Sequence, residues 1–304
     1  MEPSFSHAFS DLQLNLGKHT RLHRLMYGHG PGGGVLMLLP IDQGLEHGPR
    51  DFYVNPPSID PSYQIKLALA GGFSGIVLHY GLAHKYMREA AGKLPLILKL
   101  NGKTEIPPDR EAFSPLTGSV SDAVHLGADA IGYTLYVGSP AQDRDFEQFR
   151  QVREEAEFYG MPVIVWAYPR GWAIEERGGR DSVYAIEYAA RVATELGADI
   201  IKLNFPKTSG IEQSKLPSPY NDMTFTPEDA IRQVVRAAGR SLLILSGGSR
   251  VNDEDVLEKV RLAMDAGACG MIFGRNMWQR TWDNSLSLAA QLHELLGRYS
   301  RPVE

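Results

Sequence analysis

The chain has 304 residues, of which 43% are hydrophobic and 22% are charged, a composition typical of soluble globular proteins. Its net charge is −5 with both signs interspersed, so no basic surface points to nucleic acid or to an anionic membrane. No apolar stretch approaches the roughly 18 residues of a membrane span, and residues 1–25 lack the apolar core of a secretory signal. The single cysteine, Cys269, excludes an intrachain disulfide. We therefore expect a cytoplasmic protein without nucleic-acid or membrane partners.

Short apolar runs of strand length recur along the chain, and helix-length amphipathic segments separate most of them. The runs are residues 35–41, 75–79, 96–100, 130–134, 162–166, 199–202, 242–246 and 270–274. The clearest helical patterns are residues 142–159, 181–196, 226–238 and 251–266. Continuous apolar runs joined by helical crossovers are typical of parallel strands that are buried on both faces.

Glycine-rich junctions between helix and strand repeat along the chain, as in AVHLGADAIGY, ATELGADIIKL and AMDAGACGMIF. Glycine ends a helix in the left-handed conformation and lets it pack closely on the next strand. Eight such units close into a (β/α)8 barrel. The alternative is a doubly wound open sheet, but the Gly-x-Gly-x-x-Gly match from Gly28 to Gly33 precedes the first strand and is no dinucleotide fingerprint. We predict an α/β fold, a single TIM-barrel domain over residues 1–304, with residues 1–30 as an N-terminal cap.

Polar side chains concentrate where the predicted strands end, which is where barrel enzymes carry their catalytic groups. In chain order they include Asp42, His47, His79, Lys99, Trp166, Tyr168, Arg170, Lys202, Ser246 and Arg275. The opposite strand ends are mostly glycine, alanine and proline. This asymmetry favours an enzyme over a purely structural protein.

Lys202 lies near the end of the sixth apolar run, within Asp-Ile-Ile-Lys-Leu-Asn. Burial disfavours the ammonium form and lowers the pKa of a lysine. A neutral amine is a nucleophile that attacks carbonyl groups. The alternative for Lys202 is a head group in water or in a structural ion pair.

Two glycine-rich turns follow the seventh and eighth runs, in the position where barrels commonly bind phosphate. Their residues are Ser246, Gly247, Gly248, Gly274 and Arg275. Glycine exposes backbone N–H groups, and a guanidinium suits phosphate oxygens. The alternative is that the glycines serve only the backbone. A phosphate site beside Lys202 suits a phosphorylated ketone that forms an imine.

Imine chemistry needs proton carriers, and the neighbouring runs offer them. Tyr168 shares a face with Trp166 if the fifth strand continues, although a packed phenol is an equal alternative. Asp42, directly after the first strand, is the best candidate carboxylate. Lys99 is a rival imine-forming lysine whose inward or outward orientation the pattern leaves undecided.

A zinc site is the competing interpretation of the polar strand ends. Oxygen and nitrogen ligands could come from Asp42, Glu46, His47, His79 and His84. No two of these histidines have the tight spacing of metal ligands, and neutral imidazoles in a cavity also bind substrates. We therefore expect no metal and assign His47 to substrate binding.

Between residues 33 and 280, the chain resembles the archaeal-type class I fructose-1,6-bisphosphate aldolases, a family that also has a bacterial branch. The resemblance is carried by the blocks PIDQGLEHGP, GYTLYVGS, VWAYPRG, GADIIKLNFP, LSGGSR and IFGRNMWQR, in this order. The chain has Gln43 where many relatives have histidine, which leaves the role of that position open.

The resemblance implies that Lys202 is the Schiff-base lysine, that Tyr168 transfers protons and that Asp42 handles acid–base steps. It implies that Trp166 shapes the site and that Arg170 contacts a second phosphate. The first phosphate would be bound by Ser246, Gly247, Gly248, Gly274 and Arg275. It further implies a homo-oligomer, often a decamer, and a reaction that needs neither metal nor cofactor.

We therefore predict reversible cleavage of fructose 1,6-bisphosphate to dihydroxyacetone phosphate and glyceraldehyde 3-phosphate. The alternatives are imine chemistry on another ketose phosphate, as in aminodideoxyheptulosonate synthases or in thiolases of phosphorylated signalling diones, and an inactive phosphate-binding barrel. The fold and the lysine do not separate these. Residues 205–225, a polar, proline-rich insert, are either a lid over the site or a long surface loop.

Overall fold

The computed structural model describes residues 12–300, in which eight parallel strands form a closed barrel in chain order. The strands are β1 (Leu36–Pro40), β2 (Gly75–His79), β3 (Leu96–Lys99), β4 (Ala130–Val137), β5 (Val163–Pro169), β6 (Ile200–Leu203), β7 (Leu242–Ser246) and β8 (Gly270–Ile272). Pairing of β1 with β8 closes the sheet. The predicted barrel is confirmed, and the doubly wound open sheet is excluded.

Helices follow most of the strands and cover the outside of the barrel. They are α1 (Leu16–His23), α2 (Gln43–His47), α3 (Pro61–Ala70), α4 (Tyr80–Tyr86), α5 (Val120–His125), α6 (Gln142–Tyr159), α7 (Trp172–Glu175), α8 (Val183–Glu195), α9 (Pro227–Ala237), α10 (Asp253–Asp265), α11 (Arg275–Trp278) and α12 (Trp282–Gly297). Helix α9 illustrates a start that the sequence encodes, because Thr226 accepts a hydrogen bond from the backbone N–H of Asp229 and proline occupies the first helical position. Within residues 12–300, none of the helices combines the length and apolar character needed to cross a bilayer.

The alternation of side chains along each strand divides the core into two parts. On β6, Ile201 and Leu203 pack outward against the surrounding helices, whereas Ile200 belongs to the apolar cluster inside the barrel. Lys202 has the same parity as Ile200 and therefore points inward. Lys99 likewise follows Ile97 of the interior cluster by two residues, which settles its orientation as inward.

Residues 12–28 pack against the end of the barrel at which the strands begin. Leu22, Leu25 and Met26 of this segment are buried together with Leu36 and Val77 of the interior cluster. The segment consists of α1 and a π-helical turn, Arg24–Gly28. Residues 1–11 of the predicted N-terminal cap lie outside the described residues.

An ion pair fastens α1 to the strand that carries Lys202. The ammonium group of Lys18 lies 3.0 Å from a carboxylate oxygen of Asp199 and 2.9 Å from one of Glu157. Asp199 directly precedes β6 and also accepts a 2.8 Å hydrogen bond from the backbone N–H of Val163. The side chains of Lys18 and Asp199 are 6% and 9% exposed, so each charge depends on the other.

The insert after β6 packs against the neighbouring wall of the barrel. The Tyr220 hydroxyl donates a 2.9 Å hydrogen bond to Glu187 of α8, and the backbone N–H of Lys207 donates a 2.7 Å bond to the Asp181 carbonyl. Gln213 donates 2.8 Å bonds to the carbonyls of Tyr220 and Met223, which tie the insert to itself. The predicted role as a lid stays a prediction.

We expect Lys18→Met to destabilise the fold by about 3 kcal/mol, because the substitution leaves the buried carboxylate of Asp199 without its cation. Urea unfolding followed by circular dichroism measures the change. Lys66→Met is the matched control, since Lys66 is exposed on α3, and we expect it to change the free energy of unfolding by less than about 0.5 kcal/mol. Equal effects of the two substitutions would contradict the role given to Lys18.

Candidate active site

The carboxyl ends of β5 and β6 place the three predicted central residues side by side. Trp166 pairs with Lys202 in the strand register, and the Lys202 ammonium donates a hydrogen bond to the Tyr168 hydroxyl. The Lys202 nitrogen lies 4.7 Å from the ring centre of Tyr168 and 5.5 Å from that of Trp166. Trp166 and Tyr168 are two residues apart on β5, so both side chains point into the barrel. One lies beside the lysine as an aromatic wall, and the other is its phenol partner.

Burial of Lys202 makes its amine far more reactive than that of a surface lysine. The residue is 6% exposed. Burial lowers its pKa to about 8, an effect that Lys99 and Arg170 reinforce and that Asp42 and Glu46 oppose. At pH 7 the neutral fraction therefore rises from about 1 in 3,000 to about 1 in 10. Lys202 thus has the properties of a carbonyl-attacking nucleophile.

Lys99 is a second buried lysine at the same level of the barrel, but its nitrogen is occupied. It donates 2.7 Å hydrogen bonds to the carbonyl of Asn101 and the hydroxyl of Thr134, and a 3.3 Å bond to the Asn101 side chain. Burial lowers its pKa to about 8 as well. Three acceptors around one nitrogen match the three N–H donors of an ammonium, so the geometry favours the charged form. Lys202, with Tyr168 as its hydrogen-bond partner, is the better nucleophile.

Gly132 gives Trp166 and Lys99 the space they need. A methyl group at this position would lie 2.8 Å from the Trp166 ring and 2.9 Å from the Lys99 side chain. The Lys99 nitrogen lies 5.4 Å from the Trp166 ring centre, so the indole ring is within cation–π range of both Lys99 and Lys202. Only glycine fits at this point of β4 without moving the aromatic wall.

Two carboxylates after β1 balance the charge of the lysines. Asp42, 9% exposed, directly precedes α2, and Glu46 lies one turn further on. Both raise the pKa of Lys202 and of Lys99 and thus act on the same cavity. Asp42 also faces His79, whose pKa burial and Lys99 lower to about 4. His79 is therefore neutral near pH 7.

Tyr168 keeps its proton in this environment. Burial, followed by the negative charges of Glu46 and Asp42, raises its pKa well above the usual range. The Arg170 guanidinium lies 5.0 Å from the centre of the Tyr168 ring. Arg170 therefore lies at the mouth of the barrel, next to the catalytic candidates.

The two glycine-rich turns after β7 and β8 are fastened together by one buried side chain. The Asn276 amide nitrogen donates hydrogen bonds of 2.9, 3.4 and 3.1 Å to the carbonyls of Gly247, Gly248 and Ser249. Its oxygen accepts a 2.9 Å bond from the Val251 N–H. Asn276 therefore fixes the shape of the turn after β7 from a residue that follows β8.

His47 and Arg275 are connected through one carboxylate. His47 Nδ1 lies 2.8 Å from an Asp51 oxygen, and the Arg275 guanidinium lies 4.0 Å from the same oxygen. His47 thus borders the site on the side of the eighth strand, while Ser246 ends β7 and Gly274 directly precedes α11.

Asp42, Glu46 and His79 act on one cavity, but the side chains considered as zinc ligands do not form a metal-binding group. Within residues 12–300, no group of three or more histidine, cysteine, aspartate or glutamate side chains is arranged to bind a metal ion.

Several residues that build the site carried no assignment from the sequence. Asn101 and Thr134 accept hydrogen bonds from Lys99, Gly132 makes room for Trp166, and Asn276 ties the two glycine-rich turns together. Asn101 and Asn276 lie just beyond strand ends, whereas Gly132 and Thr134 lie within β4, and neither position by itself distinguishes a structural residue from a ligand-binding one. Gln43, the open position, has a buried side-chain oxygen without a partner among the described residues, and its amide nitrogen lies against Gly274.

We expect competitive labelling with acetic anhydride, read by peptide mass mapping, to report the pKa of Lys202. Only the neutral amine reacts, so labelling should rise about tenfold per pH unit at low pH and level off near pH 8. Lys99→Met removes a neighbouring positive charge and should move this midpoint to higher pH. Exposed Lys66 serves as the internal reference. A Lys202 midpoint near 10.5, the ordinary value, would contradict the desolvated site.

Comparison with known proteins places the chain in a defined family. Residues 36–280 match the model of the DeoC/LacD family aldolases. A fructose-bisphosphate aldolase class 1 from Thermoproteus tenax is 39% identical over 267 residues, which cover 86% of this chain and 90% of the relative. A protein of the same name from Halobacterium salinarum is 37% identical over 250 residues, covering 81% and 85%.

A solved structure extends the likeness to three dimensions. It is an archaeal fructose-1,6-bisphosphate aldolase whose catalytic lysine is covalently bound to the carbinolamine intermediate of the substrate. It superposes with a TM-score of 0.78 at 35% identity and covers 93% of this chain and 100% of its own. The resemblance carried by the sequence blocks is thereby confirmed, and the chain belongs to the DeoC/LacD family of aldolases.

Proposed function

We propose that this protein is a class I aldolase that reversibly cleaves fructose 1,6-bisphosphate into dihydroxyacetone phosphate and glyceraldehyde 3-phosphate. The observation that carries the proposal is the desolvated Lys202 amine, paired with the Tyr168 hydroxyl and placed between the phosphate loops and Arg170. A bisphosphorylated ketose fits this arrangement because each of its ends meets cationic or N–H donor groups while its carbonyl meets the amine.

The phosphate next to the ketone would bind at the two tied turns. Backbone N–H groups and the Arg275 guanidinium are suitable donors to phosphate oxygens. The residues assigned to this phosphate are Ser246, Gly247, Gly248, Gly274 and Arg275. Trp166 would pack against the carbon chain, His47 would contact the substrate, and Arg170 would contact the second phosphate.

In the first half of the reaction, the neutral amine of Lys202 attacks C2 of the ketose and forms a carbinolamine. Loss of water gives an iminium ion, which withdraws electrons from the C3–C4 bond. Asp42 takes the proton from the 4-hydroxyl as this bond breaks, so glyceraldehyde 3-phosphate leaves as the aldehyde. The electron pair of the broken bond becomes the enamine.

In the second half, Tyr168 donates its proton to C3 of the enamine and regenerates the iminium ion. Burial and the negative charges of Glu46 and Asp42 raise the pKa of Tyr168, so the phenol holds its proton at neutral pH and is present as the donor. Hydrolysis of the iminium ion then releases dihydroxyacetone phosphate and restores the amine of Lys202. Asp42 passes the proton it took to water, and Tyr168 regains one from water, so both groups are reset. The imine itself is the electron sink, so we propose that the reaction uses neither a metal nor another cofactor.

We propose a cytoplasmic homo-oligomer, a decamer by family resemblance, with one TIM-barrel domain over residues 1–304 and residues 205–225 as a lid. Light scattering coupled to size exclusion tests the oligomer, and proteolysis of the insert with and without substrate tests the lid. A monomeric mass would contradict the oligomer, and proteolysis of the insert that substrate does not slow would contradict the lid.

Borohydride reduction in the presence of dihydroxyacetone phosphate should attach one three-carbon phosphate adduct to Lys202, located by peptide mass mapping. Lys202→Met should abolish the adduct, whereas Lys99→Met should retain it. An adduct on Lys99, or none at all, would overturn the assignment. Trapping without cleavage of the bisphosphate would favour another ketose phosphate as substrate, and activity lost to EDTA and restored by zinc would favour a metal mechanism.

Tyr168→Phe should lower kcat for cleavage by about 100-fold or more, because general acid–base transfer contributes at least this much. The borohydride adduct on Lys202 should still form, since imine formation precedes the step that Tyr168 performs. Deuterium exchange at C3 of dihydroxyacetone phosphate, followed by NMR, measures the proton transfer directly. Tyr53→Phe, at a 65% exposed tyrosine, is the control. Unchanged exchange in Tyr168→Phe would assign the proton to another group.

A further inference from the structure

Three cationic side chains converge on one carboxylate at the mouth of the barrel. The Lys103 ammonium lies 2.8 Å from Asp109 Oδ1, and the guanidinium groups of Arg170 and Arg180 lie 3.4 and 3.5 Å from Asp109 Oδ2. Burial raises the pKa of Asp109, but the three cations lower it by more, so the net shift is downward. At neutral pH, Asp109 is therefore a full negative charge among cations.

The cations come from three separate segments of the chain. Lys103 follows β3, Arg170 follows β5, and Arg180 lies between α7 and α8. The side chains of Lys103 and Arg170 are only 12% and 15% exposed. Like charges repel one another at this range, and their convergence therefore requires an anion in the centre.

Asp109 alone does not balance this charge. Glu175 contacts Arg180 at 3.6 Å and is the second carboxylate of the cluster, so three positive charges face two negative ones. Without Asp109, the excess is two positive charges, which corresponds to a phosphate dianion. A phosphate offers three terminal oxygens to the planar donors of the two arginines, whereas a carboxylate offers two.

The cluster lies on the opposite side of Lys202 from the phosphate turns. Arg170 packs on the ring of Tyr168, which in turn bonds Lys202. Lys202 is on β6, with β5 on one side and β7 on the other. A ketose with a phosphate at each end would place one on the turns after β7 and β8 and the other in the cluster.

Asp109 belongs to an exposed loop that can release it. It opens a three-residue 3-10 turn, Asp109–Glu111, and residues 104–111 are exposed. Glu105 fastens one end of the loop, since it pairs with Arg50 at 2.6 Å and donates a backbone bond of 2.8 Å to Glu46. Beyond the other end, the carbonyl of buried Ala112 accepts a 2.6 Å bond from the Ser139 hydroxyl. Asp109 can therefore move away while the base of the loop stays in place.

The proposed function already assigns the second phosphate to Arg170; we propose that Asp109, held by Lys103, Arg170 and Arg180, occupies this site as a built-in competitor that the phosphate displaces. The inference rests on the proposed aldolase function and deepens it. Asp109 then sets the affinity for bisphosphates relative to monophosphates.

The test compares kcat/KM for fructose 1,6-bisphosphate with that for fructose 1-phosphate, which lacks the second phosphate. Asp109→Asn removes the competing charge and should raise the ratio of the two values about three- to tenfold. Arg180→Gln should lower the ratio about tenfold. Glu111→Gln and Arg177→Gln, at exposed residues close by in the chain, are the matched controls and should leave the ratio unchanged.

An unchanged or lower ratio in Asp109→Asn would contradict the role of Asp109 as a competitor. An unchanged ratio in Arg180→Gln would contradict the contact between Arg180 and the second phosphate. Circular dichroism and borohydride trapping of dihydroxyacetone phosphate on each variant report folding and an intact Lys202, and Asp109→Ser repeats the test if Asp109→Asn fails to fold. Trapping in the unsubstituted protein separates the two proposals. If Lys202 is trapped but the ratio does not change, the proposal for Asp109 is wrong and the proposed aldolase function is retained. If Lys202 is not trapped, the proposed aldolase function itself is wrong.

Discussion

The removal of two lysine amines from water is the physical constraint on which the active site depends. Lys99 and Lys202 point into the same closed barrel, and the cost of burying an ammonium lowers the pKa of each to about 8. The barrel makes this possible because alternate residues of each strand face inward and the apolar layer below supports them. Asp42 and Glu46 offset part of the cost, so the amines stay close to the point of titration at neutral pH.

The difference between the two lysines arises from hydrogen bonding rather than from burial. Lys99 meets three acceptors and Lys202 meets one hydroxyl. Lys99 is thereby fixed as a structural cation, and its charge adds to the burial that lowers the pKa of Lys202. The same arrangement places the Trp166 ring beside both nitrogens, and it explains why β4 has a glycine beside that ring.

The barrel and its central residues could be predicted from the sequence because their signals are local. All eight strands and the four clearest helices follow from apolar periodicity, and Lys202 is conspicuous as a charge in an apolar strand. The orientation of Lys99 could not be predicted, because a period of two without a known register leaves both faces open. The contacts of Asn276 and of Asp109 could not be predicted for another reason. Each residue joins segments that are far apart in the chain, and its local sequence pattern does not indicate which residues it contacts.

Asn276 has a consequence for engineering this barrel. The turn after β7 derives its shape from an amide that belongs to α11, beyond the next strand. A transplant of the glycine turn alone into a related barrel would lose the hydrogen bonds that orient its carbonyls, and a flexible loop would result. The transferable unit is the pair of turns together with Asn276, so recombination between relatives should be tolerated when the crossover point lies before β7 and should fail when it lies between β7 and α11.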